Sequence, residues 1–411
     1  MAQTEPKEAA GQNNRNLLVL ALIMFIDAAG IGLIIPVMPS LIEGLTGRGL
    51  DRAAEIGGWL LFAYAVMQFL FAPVIGGLSD RYGRRPVLLM TLALLGVDYA
   101  LMAWAPTLAW LFAGRIISGV MGASWAAANS CIADSIAPEK RGAAFGMLGG
   151  AAAAGFVLGP AIGGVIGQFG DRLPFVAAAV MCAGGTLFGL FHFKETLPAE
   201  KRRAFDPRRA NPFGSLLRMA RIPLVIGCLS AIFFMQLASQ SQLSVWAYYG
   251  ALKFGWTPVV IGLTVTLFGV LLGVTQGYLS GKSIARFGAV RTATISLMFA
   301  IPSFLILSVA PSTGIVVVGM IVGAVPGMCF PAMQQLMTLK VEENAQGELQ
   351  GAIASVISLT AVIGPPVMTG IFGAWADPVG VFFPGAPFVL AAALALVAVM
   401  LLARTLRRHA G

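Results

Sequence analysis

The sequence predicts an all-α membrane protein: twelve transmembrane helices in two six-helix halves. Three observations predict it. Of 411 residues, 58% are hydrophobic and only 11% charged, where a soluble domain carries about 25% charge. Twelve apolar runs are each long enough to cross a ~30 Å hydrocarbon layer as a helix. Helices are the expected element, because lipid offers no partner to an unpaired backbone group. Finally, the two halves share a glycine pattern at one fixed offset.

The first run, 17–41, follows the polar stretch MAQTEPKEAAGQNNRN. No small-residue cleavage site follows it, so the stretch reads as a cytoplasmic tail and not a signal peptide. Span 2 covers 57–78 and span 3 covers 86–105, joined by a short basic turn. Spans 4, 5 and 6 cover 108–133, 143–169 and 174–193. The segment 194–221 is the one long loop; it reads as a charged cytoplasmic linker that touches anionic lipid. Spans 7 to 12 cover 222–246, 258–281, 290–309, 313–338, 348–374 and 381–405. The expected division is therefore 1–193, 194–221 and 222–411.

Orientation follows from Lys and Arg. Twenty-two lie on the side of the N-terminus, while Arg48, Arg52, Arg172 and Lys253 lie on the other. That asymmetry places both termini in the cytoplasm. It also accounts for the net charge of +9 without nucleic acid, since the basic residues sit in short loops between spans. The four cysteines all fall inside apolar runs without CxxC spacing, and read as small buried hydrophobes.

The repeat is carried by Gly122, Gly142, Gly146, Gly159 and Pro160, which recur 205 positions later as Gly327, Gly347, Gly351, Gly364 and Pro365. A looser echo joins GGLSDRYGRR (76–85) to GYLSGKSIARFG (277–288). Duplicated parallel halves of six spans place a transporter's site between them, near the midplane.

Charges deep in the spans are few. Asp27 lies about 11 residues past Asn16, hence roughly 17 Å deep at 1.5 Å per residue. Asp98 in span 3 and Arg115 in span 4 fall at similar depth by the same count. An ionised group there costs a few kcal/mol or more, and such groups are functional by default. Burial disfavours a carboxylate's charge and a nearby cation favours it. A carboxyl group between those influences can exchange a proton, or hold a cationic cargo. The plainer readings are a static Asp98–Arg115 ion pair, and Asp27 bracing the kink near Gly30, Gly32 and Pro36. At the cytoplasmic edge, Asp80 and the arginines of the 76–88 turn are placed to meet a helix N-terminus and acids elsewhere, such as Asp134.

Several stretches carry a family likeness. GGLSDRYGRRPVL (76–88) resembles the major facilitator loop signature G-x-L-x-D-R-x-G-R-R. GFVLGPAIGG (155–164) resembles the span-5 signature of that superfamily's antiporters, G-x-x-x-G-P-x-x-G-G. FIDAAGIGLIIPVMPSL, VDYALMAWAP, GASWAAANSCIADSIAPEKRGAAFG, FFMQLASQSQLSVW and QGELQGAIASVISLTAVIGP resemble the tetracycline/proton antiporters. The likeness implies a major facilitator fold and alternating access by rocking of the halves. It implies export of a drug across the bacterial inner membrane in exchange for protons. The implied cargo is tetracycline as a metal chelate, with another drug or a metabolite as the alternative.

The likeness also assigns residues. Asp27, Asp98 and Arg115 handle protons and substrate. Asn129, Gln236, Gln240 and Gln276 line the substrate cavity. Gly76, Asp80, Arg81, Gly83, Arg84 and Asp134 form a cytoplasmic latch. Gly155, Gly159, Pro160, Gly163 and Gly164 are the antiporter helix motif. One departure stands out: the acid that tetracycline pumps carry in span 9 aligns with Ala300. Trp246, Tyr248 and Tyr249 at the end of span 7 read as a membrane-interface belt.

The implied partners are a small-molecule drug, protons and the lipid bilayer. No cofactor or resident metal is expected; a divalent ion enters only with the cargo. An enzyme is not expected. GKS at 281–283 lacks the first glycine of a phosphate loop, Gln276 standing in its place, and no H-E-x-x-H or G-x-S-x-G occurs. A reading of a different class is a membrane receptor or scaffold that transports nothing.

Overall fold

A computed structural model describes residues 7–122, 124–203, 219, 221–342, 345–377 and 382–409. Among the described residues each predicted run is mainly helical, with span 12 starting only at Ala386. Span 1 is the helix Lys7–Ile34, a 3₁₀ turn Ile35–Val37 set by Pro36, and the helix Met38–Thr46. Spans 2 and 3 are Leu50–Tyr82 and Arg84–Ala103. Span 4 is broken into Leu108–Met121 and Ser124–Ser135. Spans 5, 6 and 7 are Pro138–Gly167, Leu173–His192 and Pro223–Phe254.

Spans 8 and 9 run together as one apolar stretch of 52 residues, Pro258–Val309. At ~1.5 Å per residue that is more than twice the hydrocarbon thickness, so it must turn back. Gly288 is the break, with φ 79° and ψ 159° in an otherwise helical segment. Gly83, between spans 2 and 3, has φ 107°. Gly83 and Gly288 are 205 positions apart, the offset of the sequence repeat. Both turns thus rest on a glycine in a backbone region that side chains disfavour. Span 10 is Thr313–Ala324, a 3₁₀ turn Val325–Met328 and Cys329–Thr338; spans 11 and 12 are Gln346–Trp375 and Ala386–His409.

By internal packing the chain forms two compact units. One comprises Met1–Leu41 with Ala63–Ala210, the other Ile42–Phe62 with Asn211–Gly411. The division cuts through span 2, whose first part packs with the second unit. In the first unit Leu20, Ile23, Met24 and Leu33 of span 1 are buried. Asn16 ties the first part of span 1 to the end of span 6: its side chain accepts from Lys194 N at 3.0 Å and donates to Lys194 O at 3.2 Å. In the second unit Cys228, Leu297, Met333, Leu349 and Leu402 belong to one apolar core. Cys131, Cys182, Cys228 and Cys329 are all buried and form no disulfide.

Candidate functional site

The deep charges gather within the first unit, on spans 1, 3 and 4. Asp27 is buried, and its Oδ2 accepts a hydrogen bond from Ser124 Oγ at 2.9 Å. Ser124 lies in the second piece of span 4, just beyond the end of the first piece at Gly122. Asp98 is 0% exposed, and neither carboxylate oxygen has a hydrogen-bond partner. It lies against Gly114, where an added Cβ would sit 2.9 Å from Oδ1. The Tyr99 hydroxyl is likewise buried without a partner, against Gly30 of span 1. A buried polar atom without a partner costs about 1–3 kcal/mol, which is tolerated where function requires the group.

Arg115 follows Gly114 and is 5% exposed. Its Nη2 donates to Met102 Sδ at 3.1 Å, and its guanidinium lies 5.9 Å from the centre of the Tyr64 ring. The static Asp98–Arg115 ion pair is therefore not formed. The thioether and the ring's π face hold the guanidinium, and neither carboxylate oxygen closes a hydrogen bond, with Arg115 and the Ser118 hydroxyl as the polar groups acting on it.

The helix motif of span 5 builds the seam behind Asp27. A Cβ at Gly159 would lie 2.7 Å from Ala29 O and 3.0 Å from Gly32 Cα. One at Gly155 would overlap Phe25 O, and one at Gly163 would overlap Leu33 O. Glycine every fourth residue lets the two backbones touch, as small-residue packing in membranes requires. Gly32 in turn faces the Pro160 ring. Pro160 and Gly164 are buried in the same helix.

Between spans 2 and 3, Arg84 is the hub of a polar cluster. Its Nη1 lies 2.5 Å from Asp80 Oδ1, and its Nε donates to Asp134 Oδ2 at 2.9 Å. Nη1 also donates to Ser79 Oγ at 2.7 Å, and Ser79 Oγ donates to Gly76 O at 2.8 Å. Arg81 lies 5.1 Å over the Tyr82 ring. The helix N-terminus that the sequence assigns to Asp80 is capped by Glu195 instead. Its carboxylate accepts from Arg84 N at 2.9 Å and Arg85 N at 3.3 Å, and from Thr196 N and Leu197 N at 3.0 Å. Glu195 also lies where any side chain at Gly83 would have to go. The start of the 194–221 segment is thus docked against the turn before span 3; residues 204–218 and 220 of it lie outside the described residues.

The polar residues assigned to a cavity differ in placement. Gln240 is buried, pressed on Gly364 of span 11, with its Oε1 unpartnered. Gln236 is half-buried, while Asn129 and Gln276 are exposed. Gln276 sits in a π-helical segment, Thr275–Leu279, an irregularity common at functional sites. The aromatic belt is overturned: Trp246, Tyr248 and Tyr249 are at most 5% exposed. Trp246 Nε1 donates to Thr264 Oγ1 at 3.0 Å and Tyr249 OH to Leu307 O at 2.6 Å. Thr264 and the Leu307 carbonyl satisfy the polar tips inside the bundle, so nothing draws these rings to an interface.

The profile described as Major Facilitator Superfamily matches residues 20–249 and 229–410. The chain belongs to the Major Facilitator Superfamily. It is similar to the class C tetracycline resistance protein of Escherichia coli, 37% identical over 394 residues, covering 96% of this chain and 98% of that protein. It is also similar to the class G tetracycline resistance protein of Vibrio anguillarum, 38% identical over 363 residues, covering 87% and 91%. Among solved structures, an inward-facing, occupied bacterial homologue of the human lysosomal transporter Spinster overlays with TM-score 0.79 at 17% identity, covering 95% and 96%. At that identity the likeness speaks for the fold alone.

Within this facilitator fold, two groups are not legible in the sequence. Glu195 reads there as part of a charged linker; its only signal is an acid just after span 6, level with the turn before span 3. Tyr64 reads as one more aromatic in an apolar run. Only the packing of span 2 against span 4 brings its ring to Arg115.

Proposed function

We propose that this protein is a proton-coupled drug exporter of the bacterial inner membrane, not an enzyme, with both termini in the cytoplasm. It carries tetracycline outward as a divalent-metal chelate in exchange for protons. The observation that carries the reading is Asp98: a carboxylate at bilayer depth, fully enclosed, with both oxygens unpartnered. Such a group is costly as a structural element. It is useful as one that takes up and gives away a proton. Asp27, one hydroxyl away from the same state, is the second exchanging carboxyl. Arg115 stays near Asp98 without closing an ion pair on either acid. The resistance proteins named above support the choice of cargo, as does the near-complete coverage of their length. One proton moving inward supplies about 2.3 kcal/mol per 100 mV.

A second reading is export of another drug or a metabolite by the same device. Ala300 favours it, since this buried position in span 9 carries a methyl where tetracycline pumps carry an acid. Everted vesicles with a preset pH gradient decide the matter. Addition of tetracycline with Mg²⁺ collapses the gradient on the first reading, and the Asp27→Asn or Asp98→Asn protein does not respond. Collapse by a different compound alone selects the second reading. No response to any member of a broad panel overturns both.

A further inference from the structure

Gln68 of span 2 has no assigned role, yet it makes two hydrogen bonds at a critical place. Its Nε2 donates to Gly122 O at 3.0 Å and to the Tyr64 hydroxyl at 3.2 Å. Gly122 ends the first piece of span 4, with φ −66° and ψ 5°, and its N–H still donates to Ser118 O at 2.7 Å. The last carbonyls of a helix have no partner in the next turn. In apolar surroundings such a carbonyl must be satisfied by a side chain, and Gln68 supplies the donor. The break is also pressed onto span 2, since a Cβ at Gly122 would lie 2.7 Å from Tyr64 OH and 3.2 Å from Gln68 Nε2.

Two residues past Gly122, Ser124 belongs to the second piece of span 4 and donates to Asp27 Oδ2. That is the one side-chain hydrogen bond Asp27 makes among the described residues. The direction of the second piece, and so the aim of this hydroxyl, depends on how the break is held. In the second unit the repeat partners are also neighbours: a Cβ at Gly327 would lie 3.3 Å from Gln276 Cγ. There the span is bridged by a 3₁₀ turn and the Gln276 side chain is exposed. Among the described residues no hydrogen bond ties it to Gly327. The clamp is thus confined to the unit that holds the deep acids.

We propose that Gln68 is a positioning residue: by holding the Gly122 carbonyl at the break in span 4, it aims the Ser124 hydroxyl at Asp27. The proposal rests on the reading above that Asp27 exchanges protons. Tyr64 holds the same amide from the other side and shares the role more weakly.

The test uses the full chain in liposomes, with tetracycline and Mg²⁺ as the probe and substrate-driven proton flux as the signal. Gln68→Met keeps the side chain's length and removes the donor. Gln68→Met and Ser124→Ala are each expected to lower flux about tenfold, the scale of one buried hydrogen bond. Because both act on one contact, the double variant should lose no more than either alone. Losses that multiply to about a hundredfold would mean Gln68 acts elsewhere, and wild-type flux in Gln68→Met would overturn the proposal outright. Should Gln68→Met not assemble, Tyr64→Phe takes its place in the cycle, with a smaller drop absent from the Ser124→Ala background; a drop that persists there overturns the proposal. Asp27→Asn separates the two levels. If it keeps full flux, the role of Asp27 itself is lost; if it abolishes flux while Gln68→Met does not, only the positioning role is lost.

Discussion

Replacing Gly163 by alanine should pry span 5 from span 1. The added methyl would overlap the Leu33 carbonyl oxygen and lie 2.6 Å from its carbon and 2.7 Å from Leu33 Cα. Ordinary contact for a Cβ begins near 3.4 Å. The atoms in the way are backbone, so no rotamer change relieves the clash and the helices must separate by about 1 Å. Overpacking of this kind costs about 1–3 kcal/mol. Alanine recovers up to ~1 kcal/mol of helix propensity, leaving a net loss of about 1–2 kcal/mol. Gly149, on the same helix, has nothing within 4 Å of where a methyl would stand, so Gly149→Ala keeps the propensity gain without the clash. The four buried cysteines make the assay direct: a thiol-reactive dye in detergent reports unfolding as they become accessible. Gly163→Ala should unfold about 1–2 °C below the wild type and Gly149→Ala at or above it. Transport should fall with the first and not the second, because Asp27 rides on the displaced helix. Equal unfolding temperatures for the two variants would refute the backbone-contact account of the motif.

Two further outcomes follow from the cluster around Arg84. Arg84→Ala leaves the Asp80 and Asp134 carboxylates near one another with no cation between them; a loss of about 1–3 kcal/mol is expected, moderated because both acids still see solvent, and read as a lower unfolding temperature that Arg84→Lys only partly restores. Glu195→Gln keeps the shape but turns an amide NH₂ toward a backbone N–H that now meets an oxygen; the cap weakens by about 1–2 kcal/mol, and amide exchange at residues 84–88 should speed up while exchange in span 12 stays unchanged.

The membrane class, the twelve helices, the repeat and the list of deep charges are all legible in the chain, because each rests on local quantities. Run length against bilayer thickness needs no knowledge of neighbours, and an acid in an apolar run is visible wherever that run packs. Even the Gly83 and Gly288 turns are foreshadowed by the echo between the two loops. Which of those groups have partners is a matter of packing. Asp98 and Arg115 share a depth, but depth along a helix says nothing of rotation about it; packing turns Arg115 toward Met102 and Tyr64 and leaves Asp98 bare. Trp246 and Tyr249 look like interface residues until Thr264 and the Leu307 carbonyl are seen to satisfy their polar tips inside the bundle. Glu195 and Gln68 are 111 and 54 residues from the backbone groups they hold. A hydrogen bond depends on a few tenths of an ångström between atoms far apart in the chain, and only the packed helices set that distance.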